Sequence, residues 1–113
     1  MSKSRTTTKA KAPQSEELLP LVTPGEWLKE ELLEPLGISM NALALALRVP
    51  SNRILAIIKG ERAITADTAL RLGRYFSMSP EFWMNLQSNY DLKKAKREKL
   101  RQIEAEVLQR PAA

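Results

Sequence analysis

The stretch "ALALALRVPSNRILAIIKG", residues 42–60, holds two apolar helical runs separated by a short break. Val49-Pro50 makes the break, because a proline disfavours helical backbone at the residue before it. Gly60 stands where the second run needs a C-cap. A helix-turn-helix brings its two helices together closely at a fixed angle, so it needs a small residue inside the first helix and aliphatics on both sides of the turn. Leu43 and Ala44 fall at the buried positions of the first helix, Leu47 and Val49 bracket the turn, and Ile54 and Ile57 anchor the second. With those side chains inward, Ser51, Asn52 and Arg53 are expected on the outward-facing first turn of the second helix, the turn that enters a major groove.

The residue types suit that place. Arg53 can donate two hydrogen bonds to guanine O6 and N7, Asn52 can pair with adenine N6 and N7, and Ser51 can serve a base edge or a phosphate. Ser51 is equally suited to capping its own helix, and the two roles can coexist. Ser39 and Asn41, at the start of the preceding helix, are placed for backbone phosphate, and Lys59 and Arg62 for the flanks of the groove; such contacts position rather than specify. One position objects. Tight turns of this motif usually carry Gly where this chain has Arg48, and a non-glycine residue at positive φ costs about 1 kcal/mol or more. Leu45, Leu55 and Ile58 lie toward the outside of the motif's core, which implies covering by another element or a second subunit.

Outward from this motif, which spans 39–59 with its recognition helix at about 51–59, the remaining elements are also helical. Thr23-Pro24-Gly25-Glu26 offers a capping box with Pro at the first helical position. Val22 and Trp27 stand where a hydrophobic staple forms, and Leu28, Leu32 and Leu36 recur at helical spacing until Pro35 and Gly37 end the helix. Ser39 caps the second helix, Thr65 a fourth that runs through Phe76, and Ser79-Pro80-Glu81 opens a fifth with the stripe Phe82, Trp83, Leu86 and Tyr90. These aromatics are assigned to the core rather than to a stacking platform. Beyond Asp91 the pattern thins into a charged, helical stretch carrying Leu100, Ile103 and Val107. The fold class is all-α. A disordered basic arm is expected over 1–22, the helix-turn-helix domain over 23–91 and a charged C-terminal tail over 92–113.

Composition narrows the function. The 113 residues are 43% hydrophobic and contain neither cysteine nor histidine. That removes disulfides, thiolate metal sites and the usual neutral-pH acid-base side chain, so no enzyme, cofactor or metal is expected. No run approaches the roughly 20 apolar residues that cross a bilayer, and no secretory signal is present; a soluble cytoplasmic protein is expected. The net charge of +5 comes from the ends: "KKAKREKLR", residues 93–101, sets six basic side chains against Glu98. In the middle, Glu26, Glu30, Glu31 and Glu34 gather on the first helix, whereas Arg48, Arg53, Lys59, Arg62, Arg71 and Arg74 outnumber Glu61 and Asp67. The centre of the chain therefore has a basic side, as a nucleic-acid binder requires.

The runs "TPGEWLKEELLEPLGIS", "NALALALRVPSNRI" and "GERAITADTALRLGRYFSMSPEFWMNLQSNYDL" closely resemble the HigA-type antitoxins of bacterial toxin-antitoxin modules, within the phage-repressor-like (XRE) helix-turn-helix proteins. The likeness spans roughly residues 23–92, and "RAITADTALRL" and "SPEFWMNLQ" are not required by a generic helix-turn-helix. The resemblance implies a five-helix, lambda-repressor-like domain in the bacterial cytoplasm. It also implies a homodimer that binds double-stranded operator DNA, an inverted repeat in its own promoter, and neutralises a small basic toxin, an mRNA-cleaving RNase related to RelE. On that basis Ser51, Asn52 and Arg53 carry base readout, and Ser39, Asn41, Lys59 and Arg62 contact phosphate. The alternatives are a phage-type repressor without a toxin partner and a helical protein-interaction module.

Overall fold

The computed structural model describes residues 21–112, and most of the arm expected over 1–22 lies outside them. Among the described residues five helices follow in order. Helix α1 opens as Pro24–Leu28, continues through a π-helical segment Lys29–Leu33 and closes as Glu34–Leu36; then come α2 Met40–Leu47, α3 Ser51–Ile58, α4 Ala66–Phe76 and α5 Pro80–Glu106. There is no strand among the described residues.

Helix starts are set by local side chains. Thr23 Oγ1 accepts from the Glu26 amide at 3.1 Å while the Glu26 carboxylate accepts from the Thr23 amide at 3.3 Å, which completes the expected capping box. Ser39 caps α2 through the Ala42 amide at 3.0 Å, Thr65 caps α4 through the Thr68 amide at 3.5 Å, and Ser79 caps α5 through the Glu81 amide at 3.1 Å.

The first helix departs from expectation in its register. Pro35 does not end it but lies inside its last turn, and the Glu34 amide donates to Lys29 O, five residues back. Widening the ladder just before a proline relieves the clash of its ring with the preceding turn. The extra residue rotates the apolar face, so Leu33 is buried, whereas Leu36, expected inward, is 59% exposed. The staple also fails: Val22 is exposed, and Trp27 instead meets Phe82 and Trp83 edge-on, with ring centroids 4.8 and 5.6 Å away.

The core is continuous across all five helices. Leu28, Leu43, Ile54, Ile57, Leu72 and Trp83 are its large, fully buried side chains, joined by Ile64 from the loop before α4. Gly25 marks the closest approach of α1 to α3, because a Cβ there would lie 1.8 Å from Ile57 O. Only a residue without a side chain lets the two backbones meet at this distance. Ile58, expected outside, is half-buried against the core.

Helix α5 is one element of 27 residues, about 40 Å long at 1.5 Å per residue. The stretch from residue 92, read as a tail, is thus its direct continuation, and residues 91–112 are all exposed. Strong helix formers and i,i+4 pairs such as Lys94–Glu98, at 3.1 Å, sustain it without tertiary packing. The Glu98 partner also raises the Lys94 pKa above its usual value.

Candidate nucleic-acid interface

The candidate interface is built from the end of α2, the turn and α3. Helix α2 ends with Arg48 in left-handed backbone, φ 61° and ψ 45°. The Arg48 amide donates to Leu45 O at 3.2 Å and the Val49 amide to Ala44 O at 3.0 Å. This is the hydrogen-bond pattern of a Schellman turn, with arginine in the place that glycine fills most easily. The turn thus keeps its usual geometry, and Arg48 bears the strain.

Pro50, not Ser51, is the N-cap of α3, and among the described residues no side chain caps the helix start. Ser51 is the first helical residue, so its hydroxyl is not committed to capping and its amide stands among the uncapped groups that favour an anion. Ser51 and Asn52 are exposed, as expected from the buried set behind them. Arg53 is different. Its side chain is only 24% exposed, and its Nη1 donates to Asp67 Oδ2 at 3.1 Å, across to the first turn of α4.

Asp67 organises a small network. Arg71 Nε donates to the same Asp67 oxygen at 2.9 Å, and Arg71 Nη1 donates to Leu47 O at 2.9 Å, tying α4 to the last turn of α2. Arg71, with Arg53 behind it, holds the Asp67 carboxyl below its usual pKa. The network therefore joins α2, α3 and α4 around the turn, and it fixes the Arg53 guanidinium on the α4 side of α3. Arg53 Nε is buried with no hydrogen-bond partner of its own among the described residues.

The residues expected at phosphate are all exposed but belong to other turns than this network. Ser39 and Asn41 are exposed at the start of α2, and Lys59 and Arg62 at the end of α3 and in the loop after it. Ser39 Oγ accepts the capping bond, which leaves its O–H to donate outward. The loop that carries Arg62 is pinned by Gln87, a buried polar side chain on α5. Its Oε1 accepts from the Ile64 amide at 2.8 Å and its Nε2 donates to Asp91 at 2.9 Å. Sequence reasoning missed Gln87 and the bridging role of Asp67. The i,i+4 relation of Asp67 to Arg71 was visible in the sequence, but nothing local connects Asp67 to Arg53.

Fold and site together define a helix-turn-helix protein that presents the first turn of α3 on a rigid frame. The comparisons with known proteins agree. The helix-turn-helix model HTH_3 matches residues 28–83. Virulence-associated protein I of Dichelobacter nodosus is 49% identical over 87 residues, covering 77% of this chain and 81% of that protein. The HTH-type transcriptional regulator YbaQ of Escherichia coli is 43% identical over 70 residues, and the match spans 62% of each chain. Among solved structures, the Pseudomonas aeruginosa antitoxin HigA with the higBA promoter is similar at a TM-score of 0.76 and 46% identity, over 79% of this chain and 97% of that one. The chain belongs to the XRE-type helix-turn-helix family, with HigA antitoxins as its structural neighbours. It is a family of regulators and antitoxins, not of enzymes. Among the described residues no helix is long and apolar enough to cross a membrane.

Proposed function

We propose that this protein is an antitoxin which, as a homodimer, binds an inverted repeat in its own promoter and represses its toxin-antitoxin operon. The observation that carries this reading is the exposed, uncapped start of α3, with Ser51 and Asn52 at its tip and the cations Lys59 and Arg62 beyond it. The HigA neighbour with its promoter, at 46% identity, supports the same use of the same motif. Two recognition helices about one DNA turn apart read a palindrome, so a dimer fits the task. Exposed Leu70 and Tyr75 on α4, and Leu92, Leu100 and Ile103 on α5, supply apolar surface for such a contact.

On this reading Ser51 and Asn52 address base edges, and Arg53 does so from the position that Asp67 gives it. Ser39, Asn41, Lys59 and Arg62 grip the backbone. The second partner is a small basic toxin, an mRNA-cleaving RNase of the RelE kind, which the antitoxin neutralises. Two experiments test the two halves. In a mobility-shift titration, the full chain is expected to bind a duplex from its own promoter far better than a scrambled duplex, with affinity falling steeply as salt rises. Equal affinity for both duplexes rules out the operator reading. Co-expression with the neighbouring gene is expected to rescue growth from that gene's toxicity, and continued arrest removes the antitoxin half.

A further inference from the structure

Helix α3 carries one side chain that its polar tip does not account for. Leu55 is 38% exposed, and it is not among the residues packed on the core. It follows Ser51 by four residues and Asn52 by three, and it precedes Lys59 by four, so all four side chains stand on one face of the helix. Ser51, Asn52 and Lys59 are all exposed. The buried Ile54 and Ile57 point the opposite way, and Arg53 leaves on the other flank, toward Asp67. The surface between the polar tip and the terminal lysine is therefore apolar, and Leu55 makes it so.

A major groove offers an apolar side chain one specific partner, the 5-methyl group of thymine. A leucine one turn along from the residues that address base edges is at the depth of those edges, whereas a residue meant only for phosphate is served by a hydroxyl or a cation. We infer that Leu55 is a specificity-determining residue that reads the methyl group of a thymine in the operator half-site. The inference rests on the operator reading above and adds to it a base preference that hydrogen bonding at Ser51, Asn52 and Arg53 does not supply.

The test removes the methyl group rather than the protein side chain. Each thymine of the promoter duplex is replaced in turn by deoxyuridine, which keeps every hydrogen bond and loses only the methyl. Wild-type protein is expected to lose roughly three- to fourfold in affinity at one thymine of each half-site, the scale of one buried methyl group. Leu55→Ala is expected to lose a similar factor on the unmodified duplex and to be indifferent to deoxyuridine at that thymine. Because Leu55 is exposed, this substitution leaves the core intact, and the deoxyuridine arm uses unaltered protein in any case. Specific binding that is insensitive to deoxyuridine at every position overturns the inference and leaves the operator reading standing. A Leu55→Ala protein that still discriminates thymine from deoxyuridine as wild type does overturns it too. Failure of the wild type to prefer the promoter duplex over a scrambled one overturns both.

Discussion

Arg53 and Asp67, 14 residues apart in the chain, meet at 3.1 Å between Nη1 and Oδ2, and Arg71 holds the same oxygen at 2.9 Å. Helix α3 is thus tied through a side chain to the helix that follows it. A carboxylate that satisfies two guanidinium groups is most useful when charged, and its neighbours hold its pKa below the ordinary 3.8. A depressed carboxylate contributes stability that is fully present above its unfolded value and is lost as pH falls through its folded one, because the unfolded chain binds the proton first. Asp67→Asn is therefore expected to lower stability at neutral pH, and the gap to wild type is expected to close at pH values well below 3.8. Urea unfolding of both proteins across this range checks it; parallel curves throughout contradict it.

Arg48→Gly tests the strain at the turn. Arg48 holds φ 61° with its side chain exposed, so the substitution removes a Cβ conflict without opening a cavity. Relief of about 1–2 kcal/mol is partly offset by about 0.5–1 kcal/mol of added freedom in the unfolded chain. A net gain of about 0.5–1 kcal/mol is expected, read as a higher urea midpoint at unchanged slope. A lower midpoint would mean that the arginine side chain stabilises the turn by more than its backbone costs.

Gly25→Ala is expected to do the reverse. The added carbon would stand 1.8 Å from Ile57 O, and the atom in its way is backbone, which yields only if α1 moves off α3. Overpacking of this kind costs about 1–3 kcal/mol and occasionally more. Because Ile57 belongs to α3, the proposed recognition helix, promoter affinity measured in the mobility shift is expected to fall as well. A variant as stable as wild type would contradict the close crossing.

Gln87→Ala leaves the buried Ile64 amide without its acceptor at 2.8 Å. A cost of about 1–3 kcal/mol is expected for the stranded donor. Gln87→Glu separates the two bonds, since its carboxylate still accepts from Ile64 but has no N–H for Asp91. Its buried carboxylate would also face the Asp91 carboxylate, so at neutral pH it is expected to be no more stable than the alanine variant, and to recover as pH falls and one of the two carboxyls takes up a proton that it can donate to the other; thermal unfolding with no such gain at low pH would contradict the Gln87–Asp91 contact.

What the sequence made legible was what is decided within a few residues. Thr23, Ser39, Thr65 and Ser79 each cap the helix expected of them, because a cap is a contact between near neighbours. The buried set of the motif, Leu43, Ala44, Leu47, Ile54 and Ile57, followed from helical spacing. The misses share a different cause. A period of 3.6 puts Leu36 inward, but the π-helical segment ahead of Pro35 takes an extra residue per turn and turns Leu36 out. Helical spacing points Arg53 outward but says only which way a side chain leaves its own helix, not that it meets Asp67 on α4. Residues 92–106 were separated from the fifth helix because their apolar stripe thins, although helix-forming residues and i,i+4 pairs need no stripe to continue a helix already nucleated.

Lys59 and Arg53 should behave differently on DNA, and the difference follows from how each is held. Lys59 is exposed at the end of α3 with no fixed partner among the described residues, and on the operator reading such a cation contributes through phosphate and its released counterions. Lys59→Ala is expected to weaken binding by a similar factor on promoter and scrambled duplexes, and to reduce the salt slope by about one. Arg53 is held by Asp67, so on the operator reading its guanidinium can address a base only from a restricted orientation, which favours one base pair over the others. Arg53→Ala is expected to cost about 1–3 kcal/mol on the promoter duplex, with much less on the scrambled one, and to relax preference at a single base pair. Mobility shifts with both variants on singly substituted duplexes, at two salt concentrations, distinguish the roles. If Arg53→Ala lowered stability but left the promoter preference intact, Arg53 would be a clamp between α3 and α4, and base readout would pass to Ser51, Asn52 and Leu55.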